Sequence, residues 1–148
     1  KAEQMLKVCI RAVDKSIVNL QREYDEFKVN VPIYQINDDG TVDVQIGLKE
    51  GVNVKSKYDV LMPEEDAYGR ITYTKIGSLK PVKGQIWDNR FGAMEDAEAL
   101  AADKKAKADD DAKGGNPYLT ATTFKIVSGA DRIVPGCLVR EAKIKREK

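Results

Sequence analysis

The sequence predicts a mainly β (α+β) domain, a small antiparallel barrel of about six short strands that carries a long N-terminal helix. Apolar and polar residues alternate in short runs between residues 41 and 82 and again after residue 119, which is the period-two pattern of half-buried strands. Glycines and prolines separate these runs at close spacing, as in small barrels and sandwiches. A chain of 148 residues is also long enough to enclose one core without disulfides.

Residues 2–27 contain neither glycine nor proline and predict a helix of about seven turns. Its apolar residues recur every three or four positions and form one stripe, made of Met5, Cys9, Ala12, Val13, Ile17, Leu20, Tyr24 and Phe27. Three roles fit this stripe: a helix laid against its own domain, a coiled-coil or partner-binding helix, and the tail of a preceding domain. We favour the first role because a strict heptad seam is not evident. Residues 1–30 are therefore assigned to a helix that packs on the barrel or links it to an upstream domain.

The barrel is assigned to residues 31–148, and its first strand is predicted at residues 31–36. Pro32 restricts that strand to a strand start or a sheet edge. Asp39 and Gly40 predict a hairpin turn of type I′, because both central residues of that turn need positive φ. The turn leads into the next predicted strand.

Two alternating strands at residues 42–46 and 58–62 are expected to form the central pair of the barrel. Gly47 and Gly51 lie between them, where a reversal of the chain with positive φ is expected. Further strands are predicted at residues 70–76, 79–82, 85–87, 119–127 and 132–144.

Between residues 92 and 117 the composition changes to alanine, aspartate and lysine, with few bulky apolar side chains. Residues 93–107 predict a helix with little to bury, and residues 109–116 are expected to be mobile or disordered. The run Asp109, Asp110 and Asp111 lacks the spaced ligands of a calcium loop, so we interpret it as a solvated loop. The segment is therefore an insertion into the barrel, helical and disordered in part.

Composition and charge argue against several classes of protein. The 25 lysines and arginines balance 24 aspartates and glutamates, so the basic excess of a nucleic-acid-binding protein is missing and no nucleic-acid partner is expected. No apolar run approaches the roughly 20 residues of a transmembrane helix. Cys9 and Cys137 are interpreted as buried small apolar residues, and a disulfide between them is left open.

Nothing in the sequence predicts an enzyme, a metal site or a cofactor. Histidine is absent, which removes the commonest general base and the commonest metal ligand, and no nucleophile elbow or phosphate-binding glycine loop is found. An enzyme that works through the carboxylates of Glu64, Glu65 and Asp66 is the weakest of three hypotheses, since it requires a cleft around them. We predict that the chain is not an enzyme.

The residues Trp87, Asp88, Asn89 and Arg90 form the densest cluster of chemically capable side chains. An aromatic face beside a carboxylate, an amide and a guanidinium is typical of a surface that recognises a sugar or a peptide. Packing alone also explains the cluster, with Trp87 as a core anchor and with Asp88 and Asn89 bonded to their own backbone in a turn. The second interpretation is favoured.

The order of these elements resembles that of a known family. The strings VQIGLKEGVNVKSKYDVL, KIGSLKPV and IVSGADRIVPGCLV together resemble the C-terminal SH3-like barrel of flagellar assembly protein T and barrels of envelope-associated proteins of Gram-negative gut bacteria. The likeness spans residues 31–141 without the insertion and rests on turn glycines and strand pattern. The chain departs from it at Ser56, where a glycine is frequent, and at Cys137, where Pro-Gly is followed by aspartate. It implies an SH3-like barrel that is periplasmic or faces the outer membrane, with no catalytic residues to transfer.

Two function hypotheses follow. The first is a non-enzymatic interaction or scaffolding module of a larger exported cell-envelope protein, whose partner is an envelope protein or an upstream domain of the same chain. The second is a barrel that binds a small ligand or a glycan through Trp87, Asp88, Asn89 and Arg90. Since the chain opens without an initiator methionine or a leader, it is expected to be a mature chain or an excised piece.

Overall fold

A computed structural model of the chain describes residues 2–102 and 115–142. Its elements in chain order are α1 (Ala2–Glu23), β1 (Val31–Pro32), β2 (Gln35–Ile36), β3 (Thr41–Val44), β4 (Tyr58–Glu65), β5 (Ile71–Pro81), β6 (Ile86–Trp87), α2 (Ala93–Ala102), β7 (Gly115–Asn116), β8 (Thr122–Ser128) and β9 (Leu138–Glu141). Short 3-10 turns follow α1 at Asp25–Phe27 and follow β3 at Leu48–Glu50. The predicted loop of Asp109, Asp110 and Asp111 lies outside the described residues.

Seven of the described strands form one antiparallel sheet in the order β1-β9-β4-β5-β8-β3-β2, and β6 and β7 form a separate parallel pair. The edge strands β1 and β2 are separated by Ile33 and Tyr34 alone, so one short segment follows both edges. In that segment the amide of Ile33 donates to the carbonyl of Cys137 at 3.1 Å and the amide of Tyr34 to that of Asp43 at 2.9 Å. The sheet therefore curls into a half-barrel, which confirms the mainly β prediction with an N-terminal helix.

The predicted central pair is wrong, because β3 and β4 are not neighbours in the sheet. Strand β3 pairs with β8, where Val42 lies opposite Phe124, and β4 pairs with β5 and β9. Residues 45–57 carry the chain from one part of the curled sheet to another. Alternation shows which face of a strand is buried but carries no information about its neighbour.

Glycines at the turns act in two different ways. Gly40 has φ of 84°, but among the described residues no non-glycine residue has positive φ, so its hairpin is not of type I′. A type I turn closed by a left-handed glycine replaces it. Gly51 also has positive φ, as expected, whereas Gly47 is extended. A Cβ at Gly47 would overlap the carbonyl oxygen of Trp87, so this glycine permits a close approach of two segments.

The core lies inside the curl and consists mainly of β-branched and aromatic side chains. Its fully buried members include Val42, Val44, Val60, Leu79, Ile86, Phe124, Cys137 and Val139. Phe124 packs edge-to-face on Tyr58 with ring centroids 5.2 Å apart. The buried hydroxyl of Thr122 donates to the carbonyl of Ile46 and accepts the amide of Trp87 at 3.0 Å, which attaches β6 to the barrel.

Both cysteines are free, and they differ in burial. Cys137 is buried in the core, as predicted, but the prediction for Cys9 is wrong, because this residue is exposed on α1. The reason is the orientation of α1, which turns its apolar stripe toward solvent.

Candidate functional site

The cluster of Trp87 to Arg90 follows β6 and is built around a shielded ion pair. The side chains of Asp88 and Arg90 are 6% and 11% exposed. Arg90 donates from Nε to Oδ1 of Asp88 at 2.9 Å and from Nη2 to Oδ2 at 3.0 Å, a two-pronged geometry that fixes both groups. The amide of Asp88 also donates to the carbonyl of Asn116 at 3.1 Å, which joins β6 to β7.

The side chain of Asn89 also forms its hydrogen bonds within the protein. Its Oδ1 accepts the amide of Lys49 at 2.9 Å, and its Nδ2 donates to both carboxylate oxygens of Glu50 at 3.0 and 2.7 Å. Glu50 in turn accepts the amide of Gly47 at 3.0 Å. The side-chain amide of Asn89 thus joins the turn after β6 to the 3-10 turn at Leu48–Glu50. The neighbouring Trp87 is half-buried.

The acidic residues Glu64, Glu65 and Asp66 lie at the far end of the ribbon formed by β4 and β5. Glu64 and Glu65 are exposed, and Asp66 accepts the amides of Tyr68 and Arg70 at 2.9 Å each. Asp66 therefore stabilises the turn between the two strands. The three carboxylates do not converge on a cleft, as general acid–base chemistry would require.

A cleft of about 570 Å³ lies between α1 and the loop around Gly51. Its volume is in the range of small-molecule sites. Five basic residues and one acidic residue line it, namely Arg11, Lys15, Arg22, Lys49, Arg90 and Asp14. Of the four residues predicted to form a site, Arg90 is the one that contributes to this lining.

Helix α1 is attached to the domain through its charged face. Near the N-terminal end of α1, Lys7 Nζ donates to Oδ1 of Asp96 on α2 at 2.6 Å, and Arg11 Nη2 donates to Oδ2 of the same carboxylate at 2.8 Å. Arg11 Nε also donates to the carbonyl of Phe91 at 3.0 Å. Partial burial opposes ionisation of Asp96, but the hydrogen bonds from Lys7 and Arg11 outweigh it and lower the pKa of that carboxyl below its ordinary value.

A second attachment lies in the last two turns of α1. Arg22 donates from Nε to Oε1 of Glu141 at 3.0 Å and from Nη2 to the carbonyl of Gly51 at 2.9 Å. Val18 is the buried residue of α1 and faces Gly51, where a Cβ would come within 2.8 Å of the valine methyl. Residues 7, 11, 18 and 22 are separated by four, seven and four positions, so all four lie on one face of the helix.

The apolar stripe of α1 consequently faces solvent. Its large members and their apolar neighbours on the same side are between 44% and 71% exposed: Met5, Leu6, Val13, Ile17, Leu20, Tyr24 and Phe27. The helix predicted from sequence is present. Its contacts with the domain, however, are made mainly by arginine and lysine side chains that form ion pairs with carboxylates on α2 and β9. The apolar surface that the pattern assigned to packing is left uncovered by the part of the chain that the structure describes.

Sequence reasoning missed two residues of this surface. Leu6 and Ile10 belong to the same side of α1, and Ile10 is half-buried. With them, the spacing along Leu6, Ile10, Val13, Ile17, Leu20, Tyr24 and Phe27 alternates four and three without interruption. That alternation is the heptad signature, and it is readable from sequence.

Within residues 2–102 and 115–142, no group of three or more carboxylate or cysteine side chains is arranged to hold a metal ion. None of the described helices is long and apolar enough to cross a membrane. Comparison with models of protein families, with curated proteins and with solved structures found no match.

Proposed function

We propose that this chain is a non-enzymatic interaction module of a larger exported cell-envelope protein, and that its binding surface is the outward apolar face of α1. The observation that carries the proposal is the orientation of the helix, whose charged face holds the domain while its large aliphatic and aromatic side chains are exposed. The assignment to the envelope and the SH3-like character of the barrel are supported by the family resemblance described above.

An apolar helix face of this kind is suited to binding another protein. Soluble domains rarely expose contiguous apolar patches, and those that do commonly use them as interaction sites. Because Asp96 and Glu141 anchor the two halves of α1, the helix is already ordered before a partner arrives. The entropic cost of ordering it is therefore not paid on binding.

The test uses the chain as part of its full-length protein and compares two substitutions on α1. Ile17→Lys places a charge in the centre of the apolar face, whereas Val8→Lys, on another side of the helix, is the matched control at a residue of comparable exposure. We expect a partner from the cell envelope to be retained by the wild type and by Val8→Lys and lost by Ile17→Lys. Equal retention by all three proteins would contradict the proposal.

A second candidate function is binding of a small ligand in the cleft beside Arg90. The basic lining of the cleft favours an acidic ligand, although Arg11, Arg22 and Arg90 already pair with Asp96, Glu141 and Asp88. Calorimetric titration with glucuronate should show binding while titration with glucose does not, and two flat titrations would dismiss this candidate.

A further inference from the structure

We infer that the partner of α1 is a second copy of this chain, and that the two helices pair as a parallel, two-stranded coiled coil. The inference rests on the proposed function, since it names the occupant of the same apolar face. Three observations carry it: the heptad pattern of α1, the placement of that pattern relative to the barrel, and the area that the pairing would cover.

The heptad pattern is continuous and of the two-stranded type. With Ile10 and Ile17 at the a positions, the d positions are Leu6, Val13 and Leu20. Isoleucine at both a positions with leucine at two of the three d positions, Val13 being the exception, favours two parallel strands, because each side-chain shape suits the packing angle of its layer in a dimer. Tyr24 and Phe27 continue the pattern just beyond α1 and contact each other edge-to-face at 6.2 Å.

The a and d residues named above form the seam of the proposed pair, and they lie on a different side of α1 from the barrel. At 3.6 residues per turn, the centre of the seam lies about 130° from the face that carries residues 7, 11, 18 and 22. A two-fold axis parallel to the helices then places the two barrels on opposite sides of the paired helices. The contacts of Lys7, Arg11 and Arg22 with their own domain are therefore preserved in the dimer.

The area is sufficient for a stable pair. Full burial of one large aliphatic side chain corresponds to roughly 60–120 Å² of apolar surface, so the six seam residues that are about half exposed offer on the order of 300 Å² per chain. Since about 57% of a typical interface is apolar, the two chains together would bury roughly 1,050 Å². Specific protein interfaces begin at about this size, whereas contacts much smaller are usually incidental.

The first experiment measures the mass of the chain in solution by light scattering over a range of concentrations. Wild type should approach twice the chain mass of 16.5 kDa as concentration rises, and so should Val8→Lys. Ile17→Lys, which buries a lysine in both halves of the seam, should weaken dimerisation by about 100-fold. Circular dichroism of each variant verifies that the fold is intact, which is expected because both positions are exposed.

The second experiment determines orientation by disulfide cross-linking in a Cys9→Ser background, where the other cysteine, Cys137, is buried. Leu20→Cys should form a cross-linked dimer under mild oxidation with diamide, because equal d positions face each other only in a parallel pair. Val8→Cys, outside the seam, should stay uncross-linked. In an antiparallel pair a positions face d positions, so cross-linking of Leu20→Cys only when mixed with Ile10→Cys would indicate an antiparallel pair and overturn the inference.

A wild-type chain that stays monomeric at millimolar concentration would also overturn it. If Ile17→Lys nevertheless loses an envelope partner that Val8→Lys retains, the proposed function stands and only the identity of the partner is wrong. If both the dimer and the effect of Ile17→Lys on partner binding are missing, the proposed function fails as well.

Discussion

Replacing Arg90 by methionine tests whether the cluster after β6 is structural. The guanidinium and the Asp88 carboxylate are largely shielded from water and joined by two hydrogen bonds. Arg90→Met keeps the apolar part of the side chain and removes the charge. Asp88, which is 6% exposed, then lies in the protein without its principal counter-charge.

The expected effect on stability is large. Breaking a buried ion pair by removing one partner costs about 3–5 kcal/mol, since the remaining charge is neither solvated nor compensated. That is a substantial part of the roughly 5–15 kcal/mol by which a domain is stable. With a urea dependence of about 2 kcal/mol per molar, the unfolding midpoint should fall by roughly 2 M. The double variant Asp88→Asn with Arg90→Met removes both charges and should regain about half of the loss.

Urea unfolding followed by Trp87 fluorescence and circular dichroism measures these changes. Arg70→Met is the matched control: its pair with Asp66 spans 3.3 Å, but the side chains are 74% and 33% exposed, so its loss should cost less than about 1 kcal/mol. The reasoning is refuted if Arg90→Met costs no more than Arg70→Met, or if the double variant is less stable than Arg90→Met alone.

Three further results are expected. Gly129→Ala should destabilise the barrel by more than Gly84→Ala in thermal unfolding. Both glycines have positive φ, which costs alanine about 1–2 kcal/mol, but of the two only Gly129 is placed so that an added Cβ would overlap the carbonyl of Ile76. Equal costs would contradict this. Phe124→Ala should cost about 3–5 kcal/mol in urea unfolding, since the ring is fully buried, and a loss below about 1 kcal/mol would show that the core is not organised around it. The pKa of Asp96 lies below its ordinary value of 3.8, so the ion pairs that attach α1 to Asp96 are fully formed above that pH and are lost as the pH falls through the lowered pKa. Asp96→Asn should therefore speed amide hydrogen exchange in the N-terminal half of α1 at neutral pH. Unchanged exchange would show that Asp96 does not anchor the helix.

Much of the secondary structure was predictable because it depends on local pattern. The helix, the edge position of Pro32 and the hairpin at Gly40 follow from proline geometry, glycine φ and apolar periodicity, and all three are found. Strand partners were not predictable. Val42 could have paired with any alternating strand, and its pairing with Phe124 depends on chain closure over a distance that no local pattern encodes.

The candidate sites show the same division. Trp87, Asp88, Asn89 and Arg90 were recognisable as a cluster from their side-chain chemistry. The hydrogen bonds of Asn89 with Glu50 depend on the approach of the 3-10 turn at Leu48–Glu50, which the sequence does not reveal.

By itself, the sequence determined where the long amphipathic helix and the main strands of this protein lie, since alternation and periodicity are properties of neighbouring residues. Only the tertiary structure decided which side of that helix meets the domain. The choice depends on where carboxylates distant in the chain come to lie, and Asp96 and Glu141 are placed to receive Lys7, Arg11 and Arg22. The charged side of α1 therefore faces inward and its apolar side outward, the reverse of what hydrophobic pattern alone predicts.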